Sequence, residues 1–164
     1  MMIAGATSAA RRLSGTVVVA INAGGGAFTS PEGISYLADT YVTNIDGGTV
    51  TNAGAMTGNL EAPVYQSTRY GSFTYAIPVA NGTYDVVMKL AEVWFDPVVV
   101  GERVFSITIE GVSTGSIDMI ARAGGQYLPC DVTVPITVTD GTVNISVAAT
   151  ADQASINGIV IRTR

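Results

Sequence analysis

The constraint that most limits how this chain can fold is a period of two. Apolar side chains recur at every second residue in Phe73, Tyr75 and Ile77, again in Tyr84, Val86, Met88 and Leu90, and again in Phe105, Ile107 and Ile109. That spacing places each set on one face of a strand. The runs are short, and Pro78, Asn81-Gly82, Asp96-Pro97, Glu110-Gly111, Gly124-Gly125 and Asp140-Gly141 punctuate them. No segment longer than one turn carries the 3.6-residue apolar period of a helix. The pattern predicts roughly eight to ten strands in an all-β, jelly-roll-like β-sandwich of two antiparallel sheets with little helix.

Local signals refine this expectation. Thr16 to Asn22 is a β-branched run closed by Ala23-Gly24-Gly25-Gly26, which reads as a buried strand entering a glycine turn. No Gly-Lys-Ser/Thr follows, and no helical pattern comes next, so the glycines do not read as a phosphate cradle. Residues 27–62 read as an irregular, functional loop that carries Tyr36, Asp39 and Tyr41. Asn81-Gly82 predicts a hairpin between the Phe73 and Tyr84 strands, and Asp140-Gly141 a second between Val132–Val138 and Thr142–Val147. Ser116 to Ile120 reads as a further short strand, and Ser155 to Ile161 as one closing strand. Glu92 stands among apolar residues, where pairing with a buried arginine, Arg69 or Arg103, suits it better than ligand contact.

The length suits one domain, read as residues 16–164 behind a flexible lead-in or linker over 1–15. The chain has no histidine, which removes Ser-His-Asp and Cys-His nucleophile chemistry and the commonest zinc ligand. No cofactor or metal ligand set is expected. The single cysteine, Cys130, has apolar neighbours and reads as a small buried hydrophobe. A net charge of −5 argues against a nucleic-acid partner, and no apolar run approaches the roughly 20 residues of a membrane span.

Aromatic residues are sparse, yet Tyr65, Tyr70, Trp94 and Phe95 gather at the two ends of the stretch from Val64 to Phe95. Aromatic faces can cover the weakly apolar C–H face of a pyranose, while a few polar groups take its hydroxyls. The stretch therefore reads as a sugar-binding platform. Five motifs sharpen that reading: Ala20-Ile-Asn-Ala-Gly-Gly25, Tyr65-Gln-Ser-Thr-Arg-Tyr-Gly71, Leu90-Ala-Glu-Val-Trp-Phe95, Arg103 to Gly111, and Ser155-Ile-Asn-Gly-Ile-Val-Ile161. In this order they resemble malectin domains. The resemblance implies a β-sandwich, lectin-like module without catalytic activity that recognises glucose-containing oligo- or polysaccharides. It implies ligand contacts at Tyr70, Trp94, Phe95 and Asp152, with a further tyrosine from the early region, Tyr41 or alternatively Tyr36. Trp94 stands where malectin has tyrosine, and Thr68 where a glutamate is common.

Two other functions compete. Glu92 and Asp152 could form the carboxylate pair of a glycoside-processing enzyme, although nothing in the spacing supports a catalytic separation. A structural or adhesive β-module would instead dock its aromatics onto another domain of a larger parent protein. Carbohydrate modules usually work outside the cytosol, so an extracellular or secreted location is expected. Asn81-Gly-Thr83 and Asn144-Ile-Ser146 fit the N-glycosylation pattern, but such triplets arise by chance and predict no glycan here.

Overall fold

The computed structural model of the chain describes residues 14–54, 56 and 59–164. The lead-in expected over 1–15 lies almost wholly outside the described residues. The strands are β1 (Val17–Asn22), β2 (Phe28–Thr29), β3 (Ser35–Tyr36), β4 (Val42–Thr51), β5 (Ser67–Pro78), β6 (Gly82–Lys89), β7 (Val104–Ile109), β8 (Val112–Ser113), β9 (Val132–Val138), β10 (Thr142–Ala151), β11 (Ala154–Ile156) and β12 (Gly158–Thr163). Two helices of five residues each, α1 (Ala62–Gln66) and α2 (Met119–Ala123), complete the described elements.

A four-stranded sheet runs β1-β12-β6-β9. It faces a six-stranded sheet ordered β11-β5-β10-β7-β8, in which β4 pairs with the other edge of β5. The paired strands are antiparallel throughout. The alternating residues build the core between the sheets. Phe73, Tyr75, Ile77, Phe105, Ile107, Ile109, Val143 and Ile145 from the larger sheet share one cluster with Val86, Met88, Val134, Ile136, Ile159 and Ile161 from the smaller. Each fully buried large side chain contributes about 1.5–3 kcal/mol, so the period-two runs are the main stabilising feature of the fold.

Neither expected hairpin forms. The strands on either side of Asn81-Gly82, β5 and β6, lie in different sheets, and so do β9 and β10 around Asp140-Gly141. A type I′ hairpin turn needs positive φ at both central residues, whereas of these four only Gly141 has it, at 80°. The two connections are corners that cross the sandwich and lock together. The Gly141 amide donates to Asn81 Oδ1 at 2.8 Å, and Asn81 Nδ2 donates to the Thr139 carbonyl at 3.0 Å. Positive φ at both central residues occurs instead at Glu110 (49°) and Gly111 (75°), which join β7 to β8.

Three further expectations need correction. The loop expected over 27–62 contains β4, a ten-residue strand that is largely exposed along its length and so lacks an apolar alternation. The strand expected at Ser116–Ile120 is reduced to a single bridge between Ile117 and Phe105. Asp118 instead caps α2 by accepting from the Ala121 amide, and Gly124 ends the helix at φ 84°. The run Ser155–Ile161 divides into β11 and β12, which belong to opposite sheets. The residue between them, Asn157, is fully buried. Its Nδ2 donates to the Tyr65 and Ser67 carbonyls and to Thr68 Oγ1, and its Oδ1 accepts from the Ala91 amide.

Two polar clusters tie the irregular segments to the sheets. Asp39 accepts from Arg69 Nε at 2.6 Å, from the Tyr75 hydroxyl at 2.7 Å and from the Gly24 amide at 2.8 Å. On the other side, Lys89 bridges Glu61 at 2.7 Å and Asp131 at 3.2 Å. The Tyr36 hydroxyl donates to Glu61 and the Tyr65 hydroxyl to Asp131. Burial would raise the Glu61 carboxyl, but the hydrogen bonds from Lys89 and Tyr36 outweigh it and hold it below the usual range. The same balance runs the other way at Lys89, where Asp131 and Glu61 overcome the cost of burial and raise the ammonium. Cys130 is buried, with Sγ 3.6 Å from the Leu90 carbonyl, and desolvation pushes its thiol up to about 12.

Candidate functional site

Beyond Lys89 the chain leaves the sheet, and residues 91–103 fold over one end of β5. The resulting cleft has a volume of about 320 Å³. Its walls are Thr49 and Val50 of β4, Thr68 and Tyr70 of β5, Glu92 to Phe95, Arg103, Asp152 and Gln153, and Ser155 of β11. Thr68 and Tyr70 fall on the face of β5 opposite to Phe73, Tyr75 and Ile77, as strand alternation requires. The site therefore grows from the outer face of the larger sheet, while the other face of the same strand builds the core.

Arg103 organises the cleft. Its Nε donates to Glu92 Oε2 at 2.8 Å, and its Nη1 reaches the Gln153 carbonyl at 2.7 Å and Asp152 Oδ2 at 2.9 Å. The guanidinium lies over the Phe95 ring, 4.8 Å from its centroid, a cation–π geometry. Glu92, only 3% exposed, also accepts from the backbone amides of Trp94 and Phe95 through Oε1, at 2.9 and 3.5 Å. Of the two candidate partners for Glu92, the structure selects Arg103, and Arg69 is committed to Asp39. The backbone that carries both aromatics is thus pinned by one buried ion pair.

Trp94, pinned at its backbone, leaves its side chain in solvent, with the residue 62% exposed. Tyr70 lies across Gly48, where an added Cβ would come within 2.9 Å of its hydroxyl. Asp152 sits in the turn between β10 and β11 at φ 52°, a left-handed conformation that Asp tolerates better than most residues. Among the described residues, no group of three or more carboxylates or thiols converges to hold a metal ion.

Four of the five expected site residues, Tyr70, Trp94, Phe95 and Asp152, line this cleft, and Tyr41 does not. The Tyr41 carbonyl accepts from the Ala76 amide, six residues along β5 from Tyr70, which corresponds to about 20 Å of strand. Tyr36 is buried against Glu61, and Tyr65, in α1, is buried against Asp131. The part of the early region that reaches the cleft is the far end of β4, which offers Thr49 and Val50 where a tyrosine was expected. Sequence reasoning missed Arg103 as the centre of the site and Asn157 as its support. Arg103 did carry a signal, since it stands just before β7, two residues ahead of Phe105 and so in step with the buried positions of that strand.

The family model of the malectin domain matches residues 17–161. Malectin from Danio rerio is 29% identical over 149 residues, covering 85% of this chain and 50% of that protein. Malectin-B from Xenopus laevis is 31% identical over 142 residues, with 81% and 50% covered. The chain thus spans about half the length of the curated relatives it matches. Among solved structures, the ANXUR2 extracellular domain from Arabidopsis thaliana superposes with a TM-score of 0.75 at 16% identity, covering 88% of this chain and 48% of that one. A Bacteroides uniformis β-glucuronidase superposes at 0.73 with 20% identity, covering 89% of this chain and 18% of that one. These two likenesses show the fold alone. With its five motifs in order and a family match over nearly its whole described length, the chain belongs to the malectin domain family.

Proposed function

We propose that this chain is a non-catalytic carbohydrate-binding module that takes a glucose-containing oligo- or polysaccharide in the cleft between β5 and the 91–103 loop. The observation that carries the reading is the convergence of Trp94, Phe95, Tyr70 and Asp152 on one cleft, with the Trp94 ring left in solvent. An exposed indole beside a carboxylate suits a pyranose, whose C–H face stacks while its hydroxyls donate to the acid.

The glycosidase reading loses support from the same geometry. Both Glu92 oxygens are occupied, by Arg103 and by the two backbone amides, and Asp152 is paired with Arg103. A general acid must reach the leaving-group oxygen, whereas the Glu92 carboxyl is committed on both oxygens to contacts within the protein. An extracellular setting within a larger protein fits the reading, and no helix among the described residues is long and apolar enough to cross a membrane.

The test uses Trp94, the chain's single tryptophan, as its own reporter. Its fluorescence is followed while maltose, nigerose and cellobiose are titrated. A saturable change with one linkage class supports the reading and identifies the ligand. A flat response, with calorimetry showing no heat for the same sugars, sinks it.

A further inference from the structure

Arg103 is about nine-tenths buried, and its contacts leave one nitrogen over. Nε is held by Glu92, and Nη1 by Gln153 and Asp152. Nη2 has no protein acceptor among the described residues, yet it is not among their fully buried unpartnered atoms, which are Asn22 Oδ1 and Gln126 Nε2. Arg103 lines the cleft, and Nη2 is the one nitrogen of its guanidinium left to serve a ligand there. Asp152 is in the complementary state: Oδ2 is engaged by Nη1 at 2.9 Å, and Oδ1 has no protein donor among the described residues.

The geometry points to Arg103 Nη2 and Asp152 Oδ1 as a paired donor and acceptor that reads two adjacent hydroxyls of one sugar ring. This inference rests on the sugar-binding reading of the cleft and names the part of the ligand that decides specificity. A guanidinium nitrogen can only donate and an ionised carboxylate can only accept, so one hydroxyl of the diol must accept and its neighbour must donate. The Nη1–Oδ2 contact fixes the spacing between the two free atoms, and the Phe95 ring beneath the guanidinium keeps its plane from turning. Neither group then has to be ordered when the ligand arrives, which removes a cost of binding.

The same arrangement sets the ligand's charge. The single guanidinium is already matched by two carboxylates, Glu92 and Asp152, so the cleft carries a surplus negative charge. It selects neutral sugars with a free vicinal diol. A uronic acid in the ring above the pair would place a second carboxylate against Asp152, and like charges disfavour the complex.

The experiment is a hydroxyl scan of the ligand on the unaltered chain. Maltose and nigerose are titrated together with analogues of each in which single hydroxyls of the non-reducing ring are replaced by hydrogen, and with a glucuronic acid-containing disaccharide. Losing a hydroxyl strands a half-buried polar group, so each member of the diol should cost about tenfold or more in affinity. The expected result is two such losses at neighbouring ring positions, smaller changes elsewhere, and at least tenfold weaker binding of the uronate. Arg103→Lys keeps the charge but loses the fork that holds Asp152, so the penalties at both members of the diol should shrink together. Parent binding with no adjacent pair of losses, or with the uronate bound as tightly as the neutral sugar, overturns the assignment and leaves the sugar-binding reading standing. No binding of either parent sugar sinks both.

Discussion

Replacing Glu92 with glutamine tests the buried ion pair on which the site is built. The substitution keeps shape and volume but turns one oxygen into an NH₂ group. Whichever way the amide is oriented, a donor then faces a donor, either Arg103 Nε at 2.8 Å or the Trp94 amide at 2.9 Å. Removing one partner of a buried pair costs about 3–5 kcal/mol, because the other charge is left uncompensated. Two charge-assisted hydrogen bonds at about 1.5–3 kcal/mol each give a similar figure. In a domain of this size each kcal/mol moves the midpoint by roughly 2–4 °C, so Glu92→Gln should lower Tm by about 6–20 °C. The assay is thermal unfolding followed by far-UV circular dichroism, with Trp94 emission recorded in parallel at low temperature. The emission should change well below the transition as the 91–103 loop loosens. A companion variant, Glu92→Leu with Arg103→Met, replaces the pair with apolar groups and should recover most of the stability while leaving the cleft without its central charge. A Glu92→Gln variant that melts within about 2 °C of the parent, a shift of under ~1 kcal/mol, would refute the argument that this pair pins the loop.

Other expectations can be checked in turn. Trp94→Ala should leave Tm nearly unchanged, since the side chain is largely in solvent, while weakening sugar binding about tenfold or more by calorimetry. Gly48→Ala needs no left-handed backbone, but its Cβ would force the Tyr70 ring aside; binding should fall with little change in stability. Asn157→Ala strands four partners in a dry corner and should lower stability by about 3 kcal/mol or more in urea unfolding. The alkaline limb should be steep. Burial, reinforced by Glu61 beside Tyr36, Asp131 beside Tyr65 and Asp39 beside Tyr75, raises the pKa of all three phenols. A raised folded pKa is stabilising below the unfolded value and loses its effect as pH climbs past it. Stability should therefore fall above about pH 10, and absorbance titration should show these tyrosines ionising only as the chain unfolds.

The sandwich was legible because its core residues announce themselves locally. Phe73, Tyr75 and Ile77 alternate whatever they pair with, and burial of one face is enough to write the pattern. Pairing is a different matter. Asn81-Gly82 and Asp140-Gly141 satisfy the chemistry of a tight turn, but tight turns also make corners between sheets, and only long-range register distinguishes the two outcomes. Strand β4 escaped notice because exposed residues are free of any periodic demand. At the cleft, motif similarity named Tyr70, Trp94, Phe95 and Asp152. Periodicity alone had no means of joining residues 92, 103 and 152 into one ion-pair cluster, since their proximity is a product of the fold. Tyr41 was assigned from a region whose strand had gone unseen, and it precedes that strand at the end away from this cleft.

Strands β1 and β12 give the domain a mechanical character. At the end away from the cleft, the Thr16 amide bonds Thr163 Oγ1 and the Thr163 amide bonds the Thr16 carbonyl, each at 3.0 Å. Gly15 and Arg164 therefore lie side by side at this end, with Arg164 also held to β6 by the Thr83 carbonyl and Asp85. Tension applied through those two residues would unzip the β1–β12 ladder one rung at a time, from Val17 and Arg162 toward Asn22 and Gly158. The cleft lies beyond the last rung, past Asn157. A bound glycan would thus be gripped by the part of the molecule that feels the load last, and it would let go only after the first strand had peeled away.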